Sequence, residues 1–267
     1  MVPLARITVP VSRTILLTLS LCSLAQAKEV GLRTGNAHVV VVTSTPTQGL
    51  EEGIPRTSTY ARGVALDIDG RWDESYQVFR KARREFEQQL KRRPRWEKMI
   101  RGWIAKAEFQ TDQSRRLRYR PYYRYSLSSY VNLTQTTAKH NKWLAIRAFT
   151  GQSVRKLRDE ILDEYSRILR RSAYNEAPLI LRAAFLHELG RHDEGRREFA
   201  KVRDPNKTWL AKEVAYYHTA AGETDQAFKY LERAVRYRSS DRRYILRAND
   251  FDRLRSDSRF QKLVGSP

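Results

Sequence analysis

The chain has 267 residues, enough for one or two compact domains or for one elongated repeat array. Hydrophobic residues make up 40% and charged residues 30%, with 12 glycines and 9 prolines, which excludes a disordered chain and favours helices with short punctuation. There are 51 Lys and Arg against 30 Asp and Glu, so the formal charge is +21 and the natural partners are anionic, held by an attraction that salt weakens.

Arg6 and Arg13 precede an apolar stretch from Thr14 to Leu24, and Ala25-Gln26-Ala27 follows with small residues at its first and third places. Residues 1–27 read as a secretory leader cleaved after Ala27, too short in its apolar part to span a bilayer. A retained anchor is the alternative. Cys22 is the only cysteine, so the processed chain forms neither disulfides nor thiolate metal sites. Leu21 stands where a lipidated leader needs a small residue. Export places the protein in a periplasm or outside the cell. An envelope polymer, an anionic membrane surface or an acidic protein then ranks ahead of nucleic acid as partner.

Residues 28–56 carry Gly31, Gly35, Pro46, Gly49, Gly53 and Pro55 and show no helical period. They read as a flexible tether, with Val39-Val40-Val41-Val42 as one short strand lacking a partner in the chain.

A helical period begins at Thr57. Tyr60, Val64 and Ile68 recur at four, and Asp69-Gly70 ends the run. Trp72, Tyr76, Phe79, Ala82 and Phe86 mark a second helix, stopped by Pro94. Residues 57–93 thus form a helix pair. Trp96, Ile100, Trp103, Ile104 and Ala107 mark a third helix, and Trp143, Leu144, Ile146 and Phe149 belong to a fourth that reads as interrupted. Leu157, Ile161, Tyr165 and Ile168 mark a fifth after Gly151. Residues 94–172 are degenerate repeats or a helical insert. Five more short helices follow, as two pairs over 173–236 and caps over 237–267.

Three stretches share one form. They run Gly63-Val64-Ala65-Leu66 to Gly70-Arg71-Trp72-Asp73-Glu74-Ser75, then Ala183-Ala184-Phe185-Leu186 to Gly190-Arg191-His192-Asp193-Glu194-Gly195. The third runs Ala215-Tyr216-Tyr217-His218 to Gly222-Glu223-Thr224-Asp225-Gln226-Ala227. Each continues to a large apolar residue, Phe79, Phe199 or Leu231, and then to Ala82, Val202 or Ala234. Small residues let two helices cross closely, and the glycine closes the first helix in a left-handed conformation. Asp73, Asp193 and Asp225 favour the positive end of the next helix.

These stretches resemble tetratricopeptide repeats, with Ser75 and Gly195 departing from the usual alanine. Asp250 to Leu263 is similar to the end-of-group tail that caps such arrays, with Ser258 in place of its proline. The resemblance implies an all-α solenoid of antiparallel helix pairs and a scaffold that binds a protein or peptide along its concave face. Carried onto this sequence, the groove positions are Tyr60 and Val64, then Ile180, Ala184, His187 and Glu188, then Lys212, Tyr216 and Thr219. The carboxylate clamp of some members is not implied, because Tyr216 stands in the asparagine's place.

No pattern points to catalysis, a cofactor or a metal. His187 and His192 are five apart and straddle a turn, whereas a zinc helix needs histidines four apart. Residues 80–124 hold sixteen Lys or Arg against five Asp or Glu, more than half of the net charge. Their end carries Arg115, Arg116, Arg118, Arg120, Tyr122, Tyr123 and Arg124. Arginine forks match phosphate or carboxylate, and tyrosines stack with them. The second functional expectation is therefore a basic module holding an anionic polymer or membrane surface.

Overall fold

A computed structural model of the chain describes residues 14–16, 27–34, 37–44, 57–118, 128–151, 153–171, 176–237 and 239–265. From Ser58 to Val264 every described element is a helix. These are α1 (Ser58–Ile68), α2 (Trp72–Arg92), α3 (Glu97–Arg118), α4 (Ser128–Thr150), α5 (Arg155–Arg171) and α6 (Glu176–Glu188). They continue as α7 (His192–Phe199), α8 (Ala211–Ala221), α9 (Thr224–Tyr237), α10 (Ser239–Arg247) and α11 (Ser258–Val264). Short 3-10 turns occupy Pro94–Trp96, Thr208–Leu210 and Asn249–Leu254.

Ahead of them lie β1 (Thr14–Leu16), β2 (Ala27–Thr34) and β3 (Ala37–Ser44), in the order β1-β3-β2. The valine run is therefore not a lone strand in a tether. It sits in β3, antiparallel to β2 with Val30 opposite Val41, because an extended segment must pair its N–H and C=O groups. Most of the leader expected over residues 1–27 lies outside the described residues.

The three sequence repeats become α1–α2, α6–α7 and α8–α9, joined by the same turn. Gly70, Gly190 and Gly222 adopt φ of +71°, +76° and +81°. In each turn the residue after the glycine bonds back five places: Arg71 N–H to Leu66, Arg191 N–H to Leu186 and Glu223 N–H to His218, at 2.8–2.9 Å. Each glycine N–H bonds back three places as well. This double closure needs the left-handed residue that only glycine adopts cheaply.

The close crossing expected of the small residues is equally concrete. A Cβ at Gly63 would lie 2.7 Å from the Phe79 ring, and one at Gly195 would lie 2.5 Å from the His187 ring and 3.0 Å from the Ala183 carbonyl. Gly102, inside α3, has nothing within 4 Å of the same point. Gly63→Ala is therefore expected to cost about 1–3 kcal/mol through overpacking. Gly102→Ala should instead gain about 1 kcal/mol from helix propensity. Urea unfolding of the two variants checks the opposite signs.

An open spiral, in which each repeat touches only its neighbours, is not what the remaining contacts describe. On α4, residues 140–146 are buried without a break, so this stretch is covered on every side and lies inside the molecule, its polar members His140, Asn141 and Lys142 included. It runs unbroken, against the expected interruption. Trp143 meets Phe185 on α6 edge to face at 5.0 Å between centroids. The C-terminal elements then return to α3. Phe109 packs on Tyr244 of α10 at 5.5 Å, and Lys106 and Gln110 reach the Asn249–Leu254 turn. Phe251, Leu254 and Phe260 are buried, while Leu263 is partly so.

Candidate functional site

The expected groove positions are brought together, but inward. Tyr60, His187, Tyr216 and Thr219 are at most 3% exposed and Glu188 is 8% exposed. Their own chain covers them. Tyr60 packs edge-on against Phe79 at 5.1 Å and faces Phe149 of α4 at 6.0 Å. Thr219 bonds back to the Ala215 carbonyl at 2.8 Å. Lys212 is half-buried, 3.3 Å from Glu213 and over the Tyr244 ring. A concave face lined by these residues is thus corrected to an interior filled by α4 and the Asn249–Leu254 turn.

Tyr216 shows why. Its hydroxyl lies 2.8 Å from His140 Nε2, and the other ring nitrogen, Nδ1, lies 3.0 Å from the Tyr165 hydroxyl. A neutral imidazole offers one donor and one acceptor, so both nitrogens are satisfied without a charge. Burial pushes the His140 pKa down from 6.5 to about 3. The unfolded chain then takes up a proton first as pH falls below 6.5, so stability present above that pH is lost on the way down. The expected slope is about 1.4 kcal/mol per unit between roughly pH 6 and 3. Denaturant midpoints across that range should fall more gently in His140→Phe, whose own cost does not vary with pH.

The Asn249–Leu254 turn is clasped by charge. Lys106 Nζ donates to Asp252 Oδ1 at 2.5 Å, and Arg255 Nε donates to the same oxygen at 2.6 Å. Burial raises the Asp252 carboxyl, but Lys106 and Arg255 together bring it below its usual range. Burial pushes Lys106 down to about 8 and Asp250 up to about 6. Arg253 bridges to Glu188 at 2.9 Å and to the Ala220 carbonyl at 3.1 Å. Burial also lifts the Glu188 carboxyl, opposed by Arg253 and Arg147. These groups serve one another.

His187 and His192 meet across the α6–α7 turn, with their Nδ1 atoms 3.0 Å apart. Burial first, then the neighbouring positive groups, lowers the His187 pKa. Among the described residues no group of three or more His, Cys, Asp or Glu is arranged to hold a metal.

The basic surface faces outward. Arg80, Arg84, Lys91, Arg92, Arg93 and Arg95 are exposed along α2 and its turn into α3. Arg83 pairs with Glu87 at 2.9 Å and Arg101 with Glu97 at 2.7 Å. Arg80, Arg84, Lys91, Arg92 and Arg93 make no ion pair among the described residues. Lys91 and Arg92 also sit in the last turn of α2, where cations offset the carbonyl end of the helix. Of the expected patch, Arg115 and Arg116 are exposed, Arg115 pairs with Asp112 at 3.0 Å, and Arg118 pairs with Asp73. Arg120, Tyr122, Tyr123 and Arg124 lie outside the described residues.

Comparison with protein-family models, with curated proteins and with solved structures finds no match.

Proposed function

We propose that this chain is a non-catalytic docking module that holds a linear anionic polymer along the α2–α3 hairpin. One observation carries the reading. Seven exposed cations of the hairpin, Arg80, Arg84, Lys91, Arg92, Arg93, Arg95 and Arg116, have no acidic partner among the described residues, while the inner positions that would contact a peptide are buried except for half-buried Lys212. Arg80, Arg84 and Lys91 follow a spacing of four and seven residues, which aligns them along one side of α2. The stripe is about 16 Å long at 1.5 Å per residue. A line of charge on a rigid rod fits a chain of anions.

An anionic bilayer is the weaker occupant. Insertion asks for an exposed apolar anchor, and Trp96 at the hairpin tip is partly buried against the core beneath Arg95. The repeat resemblance supports the scaffold in general form. Three identical glycine turns and two glycine crossings are what tetratricopeptide-like pairs need, and they support helix-pair repeats joined to an inserted α4–α5 unit. Export, as residues 1–27 suggest, would give the module access to envelope polymers.

Retention on an immobilised polyanion tests the reading. Arg84→Glu with Lys91→Glu and Arg92→Glu should abolish retention at moderate salt. The same number of reversals on α5, at exposed Lys156, Arg170 and Arg171, should leave most of it. Equal losses from both sets would reduce the effect to net charge and remove the site.

A further inference from the structure

The basic hairpin is not uniform. At the end where α2 begins and α3 finishes, two arginines from different helices lie against one ring. The Arg118 guanidinium carbon is 4.5 Å from the Tyr76 ring centroid, and that of Arg80 is 5.5 Å from it. Tyr76 is itself half-buried, so the platform is held by packing. Stacking fixes the plane of a guanidinium without neutralising it, and less rotamer freedom is then lost when it binds. Arg80 has no ion pair among the described residues. Arg118 has one, to Asp73, whose side chain is 79% exposed and therefore a weak competitor. Exposed Arg115 and Arg116 stand on the last turns of α3 beside this end.

We infer that Arg80 and Arg118, oriented on Tyr76, form a subsite that selects phosphate groups, so that the polymer held by the hairpin is a polyphosphate-type chain. The inference rests on the docking function proposed above and names its ligand chemistry. Two forks carried by different helices approach from different directions. A planar carboxylate offers one edge to a fork, and a second fork must compete for the same two oxygens. A tetrahedral phosphate presents oxygens in more than one plane, and successive phosphates repeat along the chain. Lysines, which act as point charges, would show no such preference. Both cations at the Tyr76 ring are arginines, while the far end of α2 mixes Lys91 with Arg92 and Arg93.

The test compares salt elution of the full chain from inorganic polyphosphate and from polyglutamate of matched charge. The wild-type chain is expected to hold polyphosphate about tenfold more tightly. Arg80→Lys with Arg118→Lys keeps every charge and should erase that preference, because it weakens polyphosphate retention more than polyglutamate retention. Tyr76→Leu should do the same. Circular dichroism guards against unfolding, and the double lysine variant changes only solvent-facing groups.

A preference that survives the lysine exchange overturns the subsite but leaves the docking surface standing. Equal binding of both polymers by the wild-type chain does the same. Binding of neither overturns both. Tighter retention of a DNA duplex than of polyphosphate at matched charge would place nucleic acid on the hairpin and overturn the polymer assignment. Preferential binding to phosphatidylglycerol vesicles would place a membrane there with the same consequence.

Discussion

Lys142→Met is expected to lower the stability of the fold by about 3–5 kcal/mol, the usual result of stripping one partner from a buried ion pair. Lys142 Nζ lies 2.8 Å from Asp67 Oδ2 and 3.0 Å from the Gln110 carbonyl, and both side chains of the pair are essentially sealed from water. The ammonium also sits 4.5 Å from the centre of the Phe79 ring. Burial lowers the lysine pKa and raises that of the aspartate, and each partner pulls the other back toward its charged form. Asp67 Oδ1 has no hydrogen-bond partner among the described residues, so the aspartate depends heavily on this one contact.

With the lysine gone, the Asp67 carboxyl is raised further above its unfolded value of 3.8. The folded state then holds a proton that the unfolded state releases, so the deficit grows as pH rises past about 4 and is smallest in acid. Adding Asp67→Leu should restore most of the loss, because two matched apolar groups replace a buried pair at little cost. Chemical unfolding of the single and double variants at pH 4 and pH 7 measures all three effects. A single variant as stable as the wild type would mean that the pair is not buried as described.

The second large effect concerns binding. Neutralising Arg84, Lys91 and Arg92 to glutamine should weaken polyanion binding about a hundredfold at low salt. The size follows from about 1 kcal/mol for each cation next to an anionic surface, with 1.4 kcal/mol for each tenfold. The salt dependence should flatten as well, because fewer ionic contacts remain to be screened. Stability should fall by no more than about 1–2 kcal/mol, since all three side chains are solvent-exposed and only the helix-end contribution of Lys91 and Arg92 is lost. Fluorescence anisotropy of a labelled polyphosphate across a salt series gives both the affinity and its slope. A slope unchanged by the triple variant would move the docking surface off the hairpin.

The helix pairs were legible because their determinants are local. Gly70, Gly190 and Gly222 announce a left-handed turn wherever they stand, and Phe79 and Leu231 announce a core face by spacing alone. The unpaired reading of Val39–Val42 failed for the opposite reason. A strand's partner is a second segment, and the Val39–Val42 run carries no information about the segment that pairs with it.

The candidate site divided along the same line. Net charge and its concentration in residues 80–124 are properties of composition, so the sequence by itself located the basic hairpin. Tyr60, His187, Glu188 and Tyr216 were placed on an open groove by the family resemblance, and they are buried. Neither the resemblance nor the helical spacing says whether those faces open to solvent. That depended on α4 and on the Asn249–Leu254 turn, which arrive from tens of residues away and cover them. Nor could spacing reveal that Lys142 meets Asp67, or that Arg80 and Arg118 share the Tyr76 ring. Helix and turn are decided by neighbours along the chain. Burial, ion pairing and stacking are decided by neighbours in space, which only the packed helices bring together.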